Sequence, residues 1–152
     1  MADSRALYEQ VILEHNKKPR NFHKLVDADA SIEGFNPLCG DHFTIYVKLD
    51  GDTITDLAFE GAGCAISKSS ASIMTATLKG KSTREAKDLF EAFHHMVTSA
   101  PDAPIDADAL GKLQVFSGVR EYPVRIKCAT LAWHALVAAL EGDQPDEPIT
   151  TE

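Results

Sequence analysis

Three cysteines stand in settings that differ from one another and from ordinary core positions. Cys39 lies in the turn-forming run Asn36-Pro37-Leu38-Cys39-Gly40-Asp41, with a carboxylate, Asp41, two residues on. In extended backbone, residues i and i+2 point the same way, so a thiolate and a carboxylate converge there. Cys64 follows Gly61-Ala62-Gly63, where the apolar pattern changes from period two to helical period. That places its sulfur at a helix N-terminus, where free N–H groups and the helix dipole favour thiolate. Cys128 falls early in the last helical stretch, beside Lys127 and near Arg125, whose charges favour thiolate as well. Three thiolates and one carboxylate form a four-coordinate set that suits zinc. The sulfur content selects a soft metal, zinc or iron–sulfur, over magnesium or calcium. Asp41 is the harder partner, so the site should exchange its metal more readily than a knot of four cysteines. Arg125, Lys127 and Lys68 are the basic residues near enough in sequence to offset the net negative charge.

Each of these residues also has a plainer reading. Cys128 sits on an apolar stripe and would serve as a small buried residue. Cys64 fits a tight strand–helix junction, and Asp41 fits a turn. Among the six histidines, His15 falls on the inner face of the first helix and reads as a packed histidine. His23, His94, His95 and His134 lack the paired helical spacing of a metal site, and His42 should point away from Asp41 in a strand. A hydrolase using Cys39 or Cys64 as nucleophile would need a base and an orienting group, and no motif supplies them.

The elements that must position these groups follow from periodicity. Leu7, Tyr8, Val11, Ile12 and His15 form one stripe of a helix that Asp3 or Ser4 can cap and Pro19 ends. A short strand is expected near Ser31–Phe35. Phe43, Ile45, Val47 and Leu49 alternate with polar residues in a clear strand, and Asp50-Gly51-Asp52 makes a hairpin turn. The next strand, Thr53 to Glu60, has Thr55, Leu57 and Phe59 in phase and Ile54 out of phase, which predicts a bulge near its start. Ile66, Ser70, Ile73, Met74, Thr77 and Leu78 then mark a helix that Gly80 ends. Ser82-Thr83-Arg84-Glu85 matches a capping box. The helix it opens carries Ala86, Leu89, Phe90, Phe93, Met96 and Val97 inward. A loop at Pro101 and Pro104 and a short helix over 106–115 lead to a last helix from Pro123 to Gly142. The order is α+β: a small antiparallel sheet of about three strands with helices packed on one face. Residues 1–142 form a single domain, and the acidic tail 143–152 is expected to be disordered.

The chain has 152 residues, enough for one domain with a sizeable core. Its net charge of -8, from 15 basic and 23 acidic residues, disfavours nucleic acid and anionic membranes as partners. No run of the apolar length of a membrane helix occurs, and the N-terminus lacks the pattern of a secretion signal, so the expected location is the cytoplasm. An odd number of cysteines there argues against a disulfide framework.

At the residues that carry this chemistry the sequence resembles the iron–sulfur cluster assembly proteins of the IscU and NifU N-terminal type. The resemblance spans nearly the whole chain. It includes the segment 7–15 with Pro19-Arg20-Asn21, then Asn36-Pro37-Leu38-Cys39-Gly40-Asp41, Gly61-Ala62-Gly63-Cys64-Ala65-Ile66-Ser67 and Arg125-Ile126-Lys127-Cys128. Within the family it looks like the SufU branch. Lys127 stands where IscU-type scaffolds have a histidine. Glu121-Tyr122-Pro123-Val124-Arg125 keeps only the Pro-Val core and a basic residue of the Leu-Pro-Pro-Val-Lys chaperone site. The stretch 98–121 resembles the insertion of that branch.

This resemblance implies an IscU-like fold and one zinc held by Cys39, Asp41, Cys64 and Cys128. It implies persulfide sulfur taken from a SufS-type cysteine desulfurase, with Cys39 as the acceptor, and passed to downstream iron–sulfur assembly machinery. It also implies that docking frees Cys39 when a desulfurase histidine replaces it on the metal. The alternatives are a scaffold on which a transient [2Fe–2S] cluster forms at the same four positions, and a binding module whose zinc is purely structural.

Overall fold

The computed structural model describes residues 4–142 and 149–150. Helix α1 (Ser4–Lys17) precedes three antiparallel strands, β1 (Ala30–Asn36), β2 (Asp41–Asp50) and β3 (Thr53–Ala62). Helices α2 (Ala65–Leu78), α3 (Thr83–Thr98) and α4 (Ala107–Leu110) follow, then a 3₁₀ segment (Gly111–Glu121) and the long helix α5 (Pro123–Leu140). Two residues of the tail, β4 (Ile149–Thr150), pair in parallel with Gly34 and Phe35 of β1, so the sheet order is β3-β2-β1-β4. The fold is the α+β arrangement that periodicity predicted. Of the tail expected to be disordered, 143–148 and 151–152 lie outside the described residues. Ile149 and Thr150 instead form the edge strand, where Ile149 packs on the core.

The local signals explain most elements. The register between β2 and β3 passes from Lys48↔Asp56 to Leu49↔Ile54, leaving Thr55 as the extra residue of a bulge. The bulge turns Ile54 inward, where it is fully buried, and Thr55 outward. Ser82 and Glu85 close the capping box of α3 reciprocally. Pro123 starts α5 at the first helical position, where its missing N–H costs nothing. The short helix expected over 106–115 covers only Ala107–Leu110 before the chain tightens into 3₁₀ geometry.

The core gathers Phe43, Ile45 and Val47 of β2, Leu57 and Phe59 of β3, Ile73 and Met74 of α2, Phe93 of α3 and Trp133 of α5. Each such side chain contributes roughly 1.5–3 kcal/mol by leaving water. α5 packs across β1 and β2, while α2 lies against β3 and α5. On α1 the stripe holds for Tyr8, Val11, Ile12 and His15, but Leu7 is 59% exposed. Leu7 lies in the first turn of α1. His15 is buried and shares a hydrogen bond of 2.7 Å with Ser72 of α2, as a packed histidine should. No described helix is long and apolar enough to cross a membrane.

Candidate metal centre

The turn between β1 and β2 is closed by the carbonyl of Asn36, which accepts from the amides of Cys39 at 3.3 Å and Gly40 at 2.8 Å. Gly40 adopts φ 74°, open to glycine at little cost, and sends the chain back into β2 beginning at Asp41. Cys39 therefore meets Asp41 through a turn rather than through extended backbone. β3 ends beside the start of β2, with His42 opposite Ala62 and Phe43 opposite Gly61. This brings the strand–helix junction onto Asp41. A Cβ on Gly63 would lie 2.7 Å from Asp41 Oδ1, 2.6 Å from Ser67 Oγ and 2.7 Å from the Phe43 ring. Glycine is required there so that the main chain can reach the carboxylate. The N-terminal half of α5 then delivers Cys128 from the far side.

The side-chain donors of Cys39, Asp41 and Cys128 lie within 4.8 Å of one another. The Cys39 and Cys128 sulfurs are 3.1 Å apart. Cys64 stands just outside this group and is tied into it twice. Its amide donates to Asp41 Oδ1 at 2.8 Å, and its sulfur interacts with the Cys128 thiol. Cys64 is the N-cap of α2, and its sulfur accepts from the Ser67 amide at 3.5 Å. The Cys128 thiol and the Ser67 donors hold Cys64 down to about 5. Cys128 is fully buried and is pushed the other way, by its hydrogen bond to Cys64 and by desolvation. The shift expected from the helix N-terminus is thus present at Cys64, and the one expected at Cys128 from its basic neighbours is not.

Asp41 is completely buried, and among the described residues no lysine or arginine forms a salt bridge with it. An isolated buried carboxylate is costly unless a cation is near. A soft divalent ion among these donors meets that need, and ligand bonds of about 2.0–2.3 Å can be spanned by atoms so close together. The donor set therefore fits zinc.

Of the basic residues, Arg125 answers the expectation. Its guanidinium is pushed up by the charge of Cys64 first, and it also faces Cys128 and Cys39. Lys127 is half-buried and makes no hydrogen bond or ion pair with a ligand among the described residues. Lys68 lies over the Phe22 ring, 4.9 Å from its centre. His42 points away as expected, toward Glu33 and the Phe35 ring. His94 of α3 and His134 of α5, unpaired in sequence, come together with their rings 5.9 Å apart beside Phe90. Among the described residues no histidine joins the metal group.

Sequence reasoning missed two supporting residues. Asn36, fully buried, places its side-chain amide nitrogen 3.5 Å from both Asp41 Oδ2 and Cys128 Sγ. It was legible only as a turn former. Ser70, buried on α2, donates to the carbonyl of Ala129 at 2.5 Å and accepts from the Trp133 indole at 3.2 Å. It thereby ties α2, which carries Cys64, to the turn of α5 that carries Cys128. A serine on an apolar helical face was its only signal.

The NifU-like N-terminal domain family matches residues 7–141. The chain belongs to this family. It is 45% identical over 140 residues to the zinc-dependent sulfurtransferase SufU of Bacillus subtilis, covering 90% of this chain and 92% of that protein. It is 39% identical over 146 residues to the iron–sulfur cluster assembly scaffold protein IscU of Streptococcus pyogenes, covering 96% and 90%. Among solved structures it is similar to an iron–sulfur cluster assembly scaffold protein for the SUF system from Fervidobacterium islandicum. There the TM-score is 0.81 at 36% identity, over 91% of this chain and 99% of that one. A NifU-like N-terminal protein from Brucella abortus superimposes with a TM-score of 0.79 at 25% identity, over 88% and 92%. The α+β fold of this NifU-like domain is thus shared along nearly the whole chain.

Proposed function

We propose that this NifU-like protein is a zinc-binding sulfur acceptor that takes persulfide sulfur from a SufS-type cysteine desulfurase for iron–sulfur cluster assembly. The observation that carries this reading is the buried carboxylate of Asp41, without a salt bridge among the described residues, lying within 4.8 Å of the Cys39 and Cys128 sulfurs, with Cys64 bonded to it through its amide. Likeness to a SufU named as a zinc-dependent sulfurtransferase supports it.

Cys39, Asp41, Cys64 and Cys128 would hold the zinc. When bound, zinc supplies a Lewis acid that keeps the thiols deprotonated at neutral pH. Cys39 lies in a turn beside Gly40, so its sulfur can swing outward at small cost while Cys64 and Cys128 stay anchored on helices. The freed Cys39 thiolate attacks the outer sulfur of the desulfurase persulfide. The S–S bond of the donor breaks, its cysteine leaves as a thiolate, and the new S–S bond leaves a persulfide on Cys39. Electrons balance without an external oxidant. Free thiols suit the reducing cytoplasm, where we place the protein.

The test is to incubate the zinc-loaded protein with a SufS-type desulfurase and cysteine, measure sulfide turnover, and map persulfide by mass spectrometry. Faster desulfurase turnover with added sulfur on this chain is expected. No effect on the desulfurase would leave a purely structural zinc. The Streptococcus pyogenes relative named as a scaffold favours a second reading, a [2Fe–2S] cluster built at the same four residues. A visible iron–sulfur spectrum after anaerobic purification would support that scaffold reading.

A further inference from the structure

Each prospective ligand is held by the protein to a different degree. Cys64 Sγ receives the Ser67 amide at 3.5 Å and lies 3.6 Å from the Ser67 hydroxyl, which itself donates to the Cys64 carbonyl. Asp41 receives the Cys64 amide on Oδ1 and Asn36 Nδ2 on Oδ2. Cys128 Sγ receives Asn36 Nδ2 and faces Arg125. Among the described residues, Cys39 Sγ receives no N–H donor; its contact is the Cys128 sulfur. Among the described residues, Asn36 is the one side chain outside the four that hydrogen-bonds two of them. Its orientation is settled by chemistry. Oδ1 accepts the Leu38 amide at 3.2 Å, which requires the oxygen on that side and turns the NH₂ group toward Asp41 and Cys128. The two hydrogens of that group suffice for one bond to each. The Asn36 carbonyl meanwhile closes the turn that carries Cys39. Asn36 thus joins the turn that carries Cys39 to the other ligands but spends its side-chain donors only on Asp41 and Cys128.

We propose that Asn36 is a positioning residue that locks Asp41 and Cys128 as the immobile half of the metal centre, so that the site keeps its ion when Cys39 departs. The inference rests on the zinc-binding reading above. Groups that hydrogen-bond to metal ligands orient them, and their loss lowers metal affinity about 10–100-fold. Because Asn36 acts on Asp41 and Cys128, its contribution must persist when the Cys39 sulfur is absent.

The experiment is a double-mutant cycle on zinc affinity, read by competition with a chromophoric chelator. The variants are Cys39→Ser, Asn36→Ala, Asn36→Ser and the combinations of Cys39→Ser with each. Asn36→Ser keeps an oxygen near the Leu38 amide to satisfy the turn but is too short to bridge Asp41 and Cys128. Asn36→Ala and Asn36→Ser are expected to lower zinc affinity about 10–100-fold in the native background and by a similar factor in Cys39→Ser. Metal-free Asn36→Ser should melt close to the metal-free native chain. An Asn36 effect that vanishes in the Cys39→Ser background would show that Asn36 serves the Cys39 turn alone and overturn the proposal. Unchanged zinc affinity in both Asn36 variants would overturn it, as would failure of both to fold, which would make Asn36 a folding residue. If the native chain itself takes up no zinc, the metal reading fails instead, and that result is separate from the cycle.

Discussion

The main-chain amide of Cys64 donates to Oδ1 of Asp41 at 2.8 Å, across 23 positions of sequence. The bond joins the first residue of β2 to the N-cap of α2. It fixes the carboxylate before any metal arrives, so the centre is assembled by the fold and tightened by the ion. The four residues proposed as its donors come from the turn after β1, the start of β2, the cap of α2 and the first turns of α5.

Metal removal should therefore loosen the whole domain. Binding to the folded state alone adds about 4 kcal/mol when free zinc exceeds its dissociation constant about a thousand-fold. For a chain of this size that corresponds to a melting shift on the order of 10 °C. Calorimetry of the zinc-loaded protein before and after treatment with a strong chelator measures it. Identical melting curves after verified metal removal would rule out a zinc that supports the fold.

Asp41→Ala removes one proposed ligand and leaves the half-buried Cys64 amide without an acceptor. The folded state loses about 1–3 kcal/mol from the unpaired amide, which a domain of ordinary stability survives. Zinc should exchange faster and sulfur transfer should fall, with the circular dichroism of the fold retained. Wild-type transfer rates would reduce Asp41 to a turn residue.

Cys39→Ser should abolish persulfide on the chain while the protein stays folded, because Cys64 and Cys128 remain in place on their helices. Mass spectrometry after reaction with desulfurase and cysteine should find the added sulfur on Cys39 in the native chain. Persulfide mainly on Cys64 or Cys128 would transfer the acceptor role.

Gly63→Ala puts a methyl group 2.7 Å from Asp41 Oδ1, where something must move. The carboxylate, Ser67 and the Phe43 ring are the groups that must give way, so zinc affinity should fall at least about ten-fold, as for other losses of ligand support. The sheet register, set by β1 to β3, should persist in amide exchange. Native zinc affinity in this variant would show that the junction has slack.

Acid should weaken the metal-free protein through two histidines. Burial is the main force holding both His15 and His134 below the usual value of 6.5; Arg20 and Lys112 add to it for the first, and His94 for the second. Groups depressed in the folded state bind protons more readily when the chain unfolds. The stability is full above about pH 6.5 and is lost as pH falls through the folded-state values. Melting temperature measured from about pH 8 to about pH 5 should drop, and His134→Gln should flatten the slope. An unaltered slope would mean that other groups dominate the acid limb.

Much of this molecule was written locally. The shift from alternating to helical period at Gly61–Cys64, the capping box at Ser82 and Glu85, and the phase slip at Ile54 depend on neighbours a few residues apart. Short-range backbone geometry decides such features, so sequence alone determined the elements and nominated Cys39, Asp41, Cys64 and Cys128. Which of these thiols is held down, which basic residue faces them and what Asn36 does were decided only when distant elements packed. Asn36 and Cys128 are 92 positions apart and meet because α5 lies across β1. Lys127 and Arg125 are two positions apart on α5, yet of the two it is Arg125 that is pushed up by the charge of the three cysteines. Leu7 joined the stripe by spacing but stayed exposed, while Tyr8 beside it packs on the core. Side-chain period sets which residues share a face; the docking of that face sets what they touch, and the burial that follows sets their charge.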